Sequence, residues 1–342
     1  MLSSKNTCTR NCGIDILRLM AALSVIVLHS SPLTSITDMR SIGNVINVTT
    51  RWAVPFFFIA SGYFFGFQES RGLIKLTFLR ILNLLFIFVF SCAFYIFFYE
   101  FLETGNLLYA TRKMVSGVYY AIATFEFREY PTHLWFLSAM AQGYLFLFLQ
   151  IKFAKRSISV VILVALLAIG SLGQHHDFYS RIFSLPLPTQ TRNALFFAFP
   201  YMSLGYMLNF LKTKMPFWGL LVLAITGWLG TIAEFFLSNT PGCPLSDYYL
   251  ATPILCSSLF LLILQYSTFQ NSLFSIMRPL SLYIYILHPA VIALMTKFFG
   301  ELSSLSAFEQ LTRVFYVCFL TTAISVALHF IIKNIKSAWV ER

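Results

Sequence analysis

Ten runs of mostly apolar residues follow one another along this chain, at roughly 14–31, 51–67, 78–101, 133–151, 157–172, 192–211, 215–237, 248–268, 280–299 and 311–332. About 20 such residues in helical form are what the hydrocarbon core of a bilayer requires. In lipid each backbone N–H and C=O must find its partner inside the same segment, so runs like these form helices. The expected fold class is therefore an all-α integral membrane protein of about ten transmembrane helices, built as a single domain over residues 1–342. Only 11% of the residues are charged, where soluble domains carry roughly 25%. A chain so poor in charge has a surface made for a lipid bilayer.

The formal net charge of +11 would suggest nucleic acid in a soluble protein. Here the basic residues flank the apolar runs, and no nucleic-acid partner is expected. Fourteen of the 24 lysines and arginines fall in segments on the side of the N-terminus, nine fall on the other side, and Arg18 lies within the first run. Basic residues concentrate on the cytoplasmic face of membrane proteins, so both termini are expected there. The first run follows Lys5 and Arg10 in the manner of a signal peptide. It holds Asp15, Arg18 and His29 and lacks a small-residue cleavage site, so it reads as retained. The connection 102–132 contains LLYATRKMVSGVYYAIATFEF, a mixed pattern that suits a helix lying on the outer leaflet. Cys8 and Cys12 have no second ligand pair nearby, so neither a zinc site nor a disulfide framework is expected. His175 and His176, in an outer connection, read as solvated.

Ionisable side chains are costly inside a bilayer, which makes each a functional candidate. Arg18 and His29 are eleven residues apart, three helical turns plus about 20°, so they share one face at an axial separation of about 16 Å. Asp15, three residues before Arg18, is placed to pair with it. A cation at the inner end could hold a phosphate, while a histidine deeper in could act as general base on a hydroxyl. A long, thin thioester donor would bridge the two. The same pair is equally compatible with a snorkelling arginine and a histidine capping the helix at the interface.

RLMAALSVIVLH is an Arg-x10-His motif, preceded by IDILR; PFFFIASGYFFG follows in the second run, then HLWFL at 133–137 and SLYIYILHP at 281–289. In this order the four resemble the membrane acyltransferase family three, whose members O-acylate extracytoplasmic carbohydrates. The resemblance implies a multi-pass protein of a bacterial inner (plasma) membrane. Such a protein would move an acyl group, typically acetyl, from cytoplasmic acetyl-CoA to a hydroxyl of a surface polysaccharide, a lipopolysaccharide or a lipid-linked sugar. Its implied partners are the lipid bilayer, the acyl-CoA donor and the carbohydrate acceptor, with no metal.

Carried over residue by residue, His29 matches the essential histidine and Arg18 its partner, with Asp15 beside them. Arg80, with Arg71, Lys75 and Ser61, is the expected donor site. His133, Trp135, Tyr283 and His288 are the expected acceptor side. Ser61 and Gly62 form a small-residue step where a helix or ligand packs closely. Two departures stand out: Asn83 occupies the place of a second arginine, and Met140 and Ala141 stand where carboxylates are common. Direct attack with His29 as base and an acyl-enzyme route near Ser61 both remain open, as do a flippase of lipid-linked sugar and a non-catalytic assembly subunit.

Overall fold

The computed structural model describes residues 11–67, 72–99, 106–124, 132–174, 192–211, 213–238, 245–268, 274 and 276–340. Among them are twelve α-helices and no strand. They are α1 (Cys12–Ser30), α2 (Arg40–Thr50), α3 (Ala53–Phe67), α4 (Leu73–Tyr99), α5 (Leu107–Thr124), α6 (Trp135–Phe153) and α7 (Arg156–Gln174). The rest are α8 (Phe199–Leu208, led by a π-helical turn at Ala194–Ala198), α9 (Phe217–Ser238), α10 (Thr252–Tyr266), α11 (Met277–Phe299) and α12 (Ala307–Val340).

Seven of these, α1, α4, α6, α7, α9, α11 and α12, are long and apolar enough to cross a membrane. Each of the other three expected runs contains a helix of 15 residues: α3, the unit Ala194–Leu208, and α10. Fifteen residues rise about 22 Å, short of the roughly 30 Å hydrocarbon core. These short helices sit inside the bundle. Phe56, Phe58, Ile59 and Phe65 of α3 and Tyr201 and Met202 of α8 are fully buried. The outer helices point large apolar side chains outward instead, as with Phe86, Phe90, Leu237 and Phe315, which suits a lipid environment.

The helix expected within 102–132 is present as α5. Helix α2 was not anticipated, because residues 40–50 alternate polar and apolar side chains over too short a stretch to register as a span. A Cβ on Gly43 would lie 2.7 Å from the Pro32 carbonyl oxygen, so only glycine lets α2 close onto the turn that follows α1. That turn takes Ser31 and Leu33 to positive φ, 41° and 65°. Gln310 of α12 holds it, accepting from the Leu33 N–H at 2.7 Å and donating to the Ser35 hydroxyl at 2.9 Å.

Helix α1 runs through the middle and contacts α2, α3, α10, α11 and α12. Asn11 caps its start, accepting from the Ile14 N–H at 3.2 Å and donating to the Leu264 carbonyl at 3.2 Å. At the other end the Asn47 amide of α2 donates to the Leu28 carbonyl at 3.2 Å. The helix that carries Arg18 and His29 is thus pinned at both ends by side-chain amides.

Candidate active site

A cavity of about 700 Å³ opens between α1, α3, α4, α6 and α11, within the usual range for small-molecule sites. Its polar end is lined by Asn11, Asp15, Arg18, Arg80, Asn83 and Arg278. Arg18 Nη1 lies 3.2 Å from Asp15 Oδ1, and its guanidinium stands 5.1 Å from the Phe64 ring centre. Its N–H edge donates to a carboxylate and its guanidinium stands over an aromatic ring, so the planar group is held in direction. Arg80 reaches the space from α4, and Arg278 enters it from the start of α11. Three guanidiniums around one opening, with one carboxylate among them, leave a net positive site suited to phosphate groups.

The rest of the lining is mostly apolar, with Phe57, Met140, Tyr144, Phe136 and Tyr285 beside Ser61. The Ser61 hydroxyl is 3.8 Å from the Met140 sulfur. Gly62, next to it, faces away and packs on α8, where a Cβ would lie 1.9 Å from the Met202 carbonyl oxygen. The small-residue step therefore divides its work, with Gly62 serving helix packing and Ser61 facing the cavity.

Beyond Tyr285 stands a cluster of three histidines from three helical segments. The rings of His29 and His288 have centroids 5.2 Å apart, and those of His133 and His288 are 5.7 Å apart. His29 ends α1, His133 lies in the turn before α6, and His288 is midway along α11. Tyr285 joins cavity and cluster, since it lines the first and its hydroxyl donates to the His133 carbonyl. Tyr95 of α4 stacks edge-on against His133 at 4.7 Å and donates its hydroxyl to the Ile286 carbonyl. His133 and His288 are buried, whereas His29 presents open surface while protein surrounds it on most sides. Among the described residues no grouping of His, Cys, Asp and Glu has metal-ligating geometry.

The charges that act on His29 are Arg192, Asp247 and Arg51. Asp247 accepts from Arg51 and, at 3.3 Å, from Arg192, whose guanidinium lies 5.1 Å from the Trp135 ring centre. Burial alone would raise the Asp247 carboxyl, but the two arginines hold it below its ordinary value. Arg51 also donates to the Asn47 side-chain oxygen at 2.9 Å, which links the network to the pin on α1.

The structure gathers most of the residues singled out in the sequence, with some redistribution. Arg18, Arg80, Asp15 and Ser61 share the cavity. Asp15 pairs with Arg18 and stands fourteen residues, about 21 Å along the axis, from His29. Lys75 is on the exposed side of α4 and takes no part in the cavity lining. Arg71 lies outside the described residues, as do His175 and His176. Tyr283 does not reach the cluster; its ring lies 6.4 Å from that of His329 on α12. The helical step of 100° per residue turns Tyr285 inward in its place.

Arg278 and the Arg51–Asp247–Arg192 network were not anticipated as site residues. Arg278 reads as topology-setting charge, and Asp247 lies in a turn-rich connection. One signal was available, since the whole sequence holds only 13 acidic residues, which makes each one next to an apolar run informative.

A family model described as an acyltransferase domain, acyltransferase family 3, matches residues 11–330. Among curated proteins, the chain is 26% identical over 304 residues to an amino-acid racemase of Enterococcus faecalis, covering 82% of this chain and 41% of that protein. It is 28% identical over 312 residues to a serine/alanine racemase of Enterococcus gallinarum, covering 83% of this chain and 41% of that protein. The chain thus spans about two fifths of the length of these relatives, and their names describe the longer proteins. No solved structure matches. With a match over nearly its whole length, the chain belongs to acyltransferase family 3.

Proposed function

We propose that this membrane acyltransferase is an O-acyltransferase that takes an acyl group from acyl-coenzyme A, with acetyl-CoA as the donor. The acceptor is a hydroxyl of a surface or lipid-linked carbohydrate. The observation that carries the reading is the guanidinium-lined cavity, together with Tyr285, which lines it and also contacts His133 and His288 of the cluster that holds His29. The guanidiniums suit the phosphates of coenzyme A, and the apolar lining suits its thin pantetheine arm. The axial separation of Arg18 and His29, about 16 Å, is spanned by a molecule of that shape. The positive-inside pattern supports placing the Arg18 end on the cytoplasmic side of a bacterial plasma (inner) membrane, with the His29 end toward the outside.

His29 is the general base. It takes the proton of the acceptor hydroxyl as the oxygen attacks the thioester carbonyl; the C–O bond forms and the C–S bond breaks. The imidazolium then returns the proton to the departing thiolate. Arg18, Arg80 and Arg278 hold the donor's phosphates, which orients the thioester without taking part in bond making. Trp135 is buried against Phe58 and Phe197, and it serves the site by holding Arg192, whose guanidinium stands over its ring.

The racemase names of the relatives suggest a second expectation only for a chain that carries out racemisation within the matched region. The direct test covers both. Purified protein in lipid nanodiscs is given acetyl-CoA with and without membrane glycan extract, and free thiol is followed. L-Serine and L-alanine are incubated in parallel and analysed on a chiral column. Thiol release stimulated by glycan, with acetylated glycan found by mass spectrometry, supports the proposal. Racemisation without thiol release replaces it.

A further inference from the structure

His288 is completely buried, and its two ring nitrogens have different surroundings. Nδ1 lies 2.8 Å from the Tyr285 carbonyl oxygen and 3.2 Å from that of Ile284. A carbonyl oxygen only accepts, so Nδ1 carries the hydrogen and Nε2 of the neutral ring carries the lone pair. That Nε2 is buried without a hydrogen-bond partner among the described residues. The buried Nε2 of His133, whose ring is next to that of His288, is in the same position.

The arrangement originates in Pro289. In a regular α11 the N–H of residue 289 would bond to the carbonyl of residue 285. Proline has no N–H, so the Tyr285 carbonyl is released from the helix ladder and takes the His288 proton instead. The chain thereby fixes one tautomer of a buried histidine. A buried acceptor with no partner costs free energy, and such an atom kept beside the proposed base calls for a use.

The geometry points to His288 as the positioning residue of His29: its Nε2 accepts a hydrogen bond from one ring nitrogen of His29, directly or through a single water. With one His29 nitrogen acting as donor to His288, the other must present its lone pair, and that lone pair faces the open side where the acceptor hydroxyl arrives. A chain results from hydroxyl to His29, to His288, to the Tyr285 carbonyl, the logic of a base held by a second group. At a centroid separation of 5.2 Å a small rotation of the His29 ring, or one bridging water, completes the contact. His288 keeps its own proton on Nδ1 throughout, so the proton that moves is only the one exchanged between hydroxyl, His29 and thiolate. His133, whose buried Nε2 also lacks a hydrogen-bond partner among the described residues, is the natural third contact for a bridging water.

The inference rests on the acyltransfer reading for its kinetic consequence, but the tautomer of His29 tests it independently. Two substitutions separate the functions of the ring. In His288→Asn the amide N–H still reaches the Tyr285 carbonyl, but nothing replaces the Nε2 lone pair. In His288→Gln the side-chain oxygen reaches about as far as Nε2 and restores the acceptor. The measurement is ¹⁵N spectroscopy of histidine-labelled protein in nanodiscs, with His29 assigned by its loss in His29→Ala, alongside thiol release from acetyl-CoA. His29 should show one neutral tautomer in the wild type and in His288→Gln, and both in His288→Asn. In the kinetics, His288→Asn should lower kcat about 100-fold with KM for acetyl-CoA little changed, while His288→Gln recovers most of the loss.

An unchanged His29 tautomer in His288→Asn overturns the inference whatever the rate does. Thiol release within a few-fold of wild type in that variant also overturns it. If the wild type releases no thiol, the acyltransfer reading fails and the spectrum alone decides. Should neither variant fold, Pro289→Ala supplies an N–H that competes for the Tyr285 carbonyl and loosens the tautomer of His288. Both tautomers at His29 in that variant then support the inference, and a single unchanged His29 tautomer beside a mixed His288 overturns it.

Discussion

The Met202 carbonyl oxygen lies 1.9 Å from where a Cβ on Gly62 would stand, and the Ile59 carbonyl oxygen lies 2.0 Å from the same point on Gly205. The two contacts are reciprocal: Gly62 of α3 and Gly205 of α8 each receive the backbone of the other helix. Close backbone approach through small residues is how helices associate where lipid removes the hydrophobic drive. Because Ser61 is Gly62's neighbour and faces the cavity, this contact also sets the depth of the site. Gly62→Ala must push two backbones apart and should cost about 1–3 kcal/mol, seen as a lower melting temperature in detergent. Gly219, which has no atom within 3.9 Å of its added Cβ, is the control. Equal melting temperatures for the Gly62→Ala and Gly219→Ala proteins would refute the contact's role.

Arg18 is held in direction by Asp15 and Phe64, and a guanidinium binds phosphate through a planar pair of N–H groups that an ammonium lacks. Arg18→Lys should therefore weaken coenzyme A binding about tenfold or more despite keeping its charge. Arg278→Ala should weaken it by a similar factor, whereas Lys75→Ala, outside the cavity, should leave it unchanged. Titration calorimetry with coenzyme A at two salt concentrations is the check. An effect of Lys75 equal to that of Arg278 would move the donor site elsewhere.

His29→Ala should lower acyl transfer by about 10²–10⁴-fold while coenzyme A still binds, because the proposed phosphate contacts lie at the other end of α1. Transfer is measured on monodisperse protein, so that a folding defect registers as lost yield and not as lost turnover. Activity per folded molecule within a few-fold of wild type would remove His29 from the base role.

Asp247 gives a pH signature. Burial raises its carboxyl, but Arg51 and Arg192 outweigh burial, so its folded value lies below the ordinary one of about 3.9. A depressed carboxylate contributes stability above its unfolded pKa and loses it as pH falls through the folded value. Thermal stability of the wild type should therefore be flat from neutral pH down to about 4 with respect to this group and fall below that. Asp247→Asn should lose about 1–3 kcal/mol at neutral pH by removing the carboxylate charge that faces Arg51 and Arg192, and should show less of the fall in acid. Parallel pH–stability curves for the two proteins would show that the network contributes nothing.

The charge pattern predicts that reporters fused near residues 115, 180, 245 and 305 read an outer location. Two or more reading cytoplasmic would reverse the orientation, and with it the side from which the donor enters.

The sequence by itself determined the helical membrane class, because a bilayer allows little else for apolar runs of this length, and a helix repeats at 100° per residue. The same periodicity put Arg18 and His29 on one face of α1, since both belong to one helix and no other element is needed to relate them. Lys75 and Tyr283 fell out of the site for the complementary reason: they belong to helices whose rotation about their own axes is fixed only by packing. That packing turned Lys75 outward and gave Tyr285 the place expected of Tyr283. The meeting of His29, His133 and His288, the entry of Arg278 into the cavity and the Arg51–Asp247–Arg192 network each join segments separated by more than fifty residues. Local patterns carry no information on such distances; close contacts such as that of Gly62 with Met202 decide them.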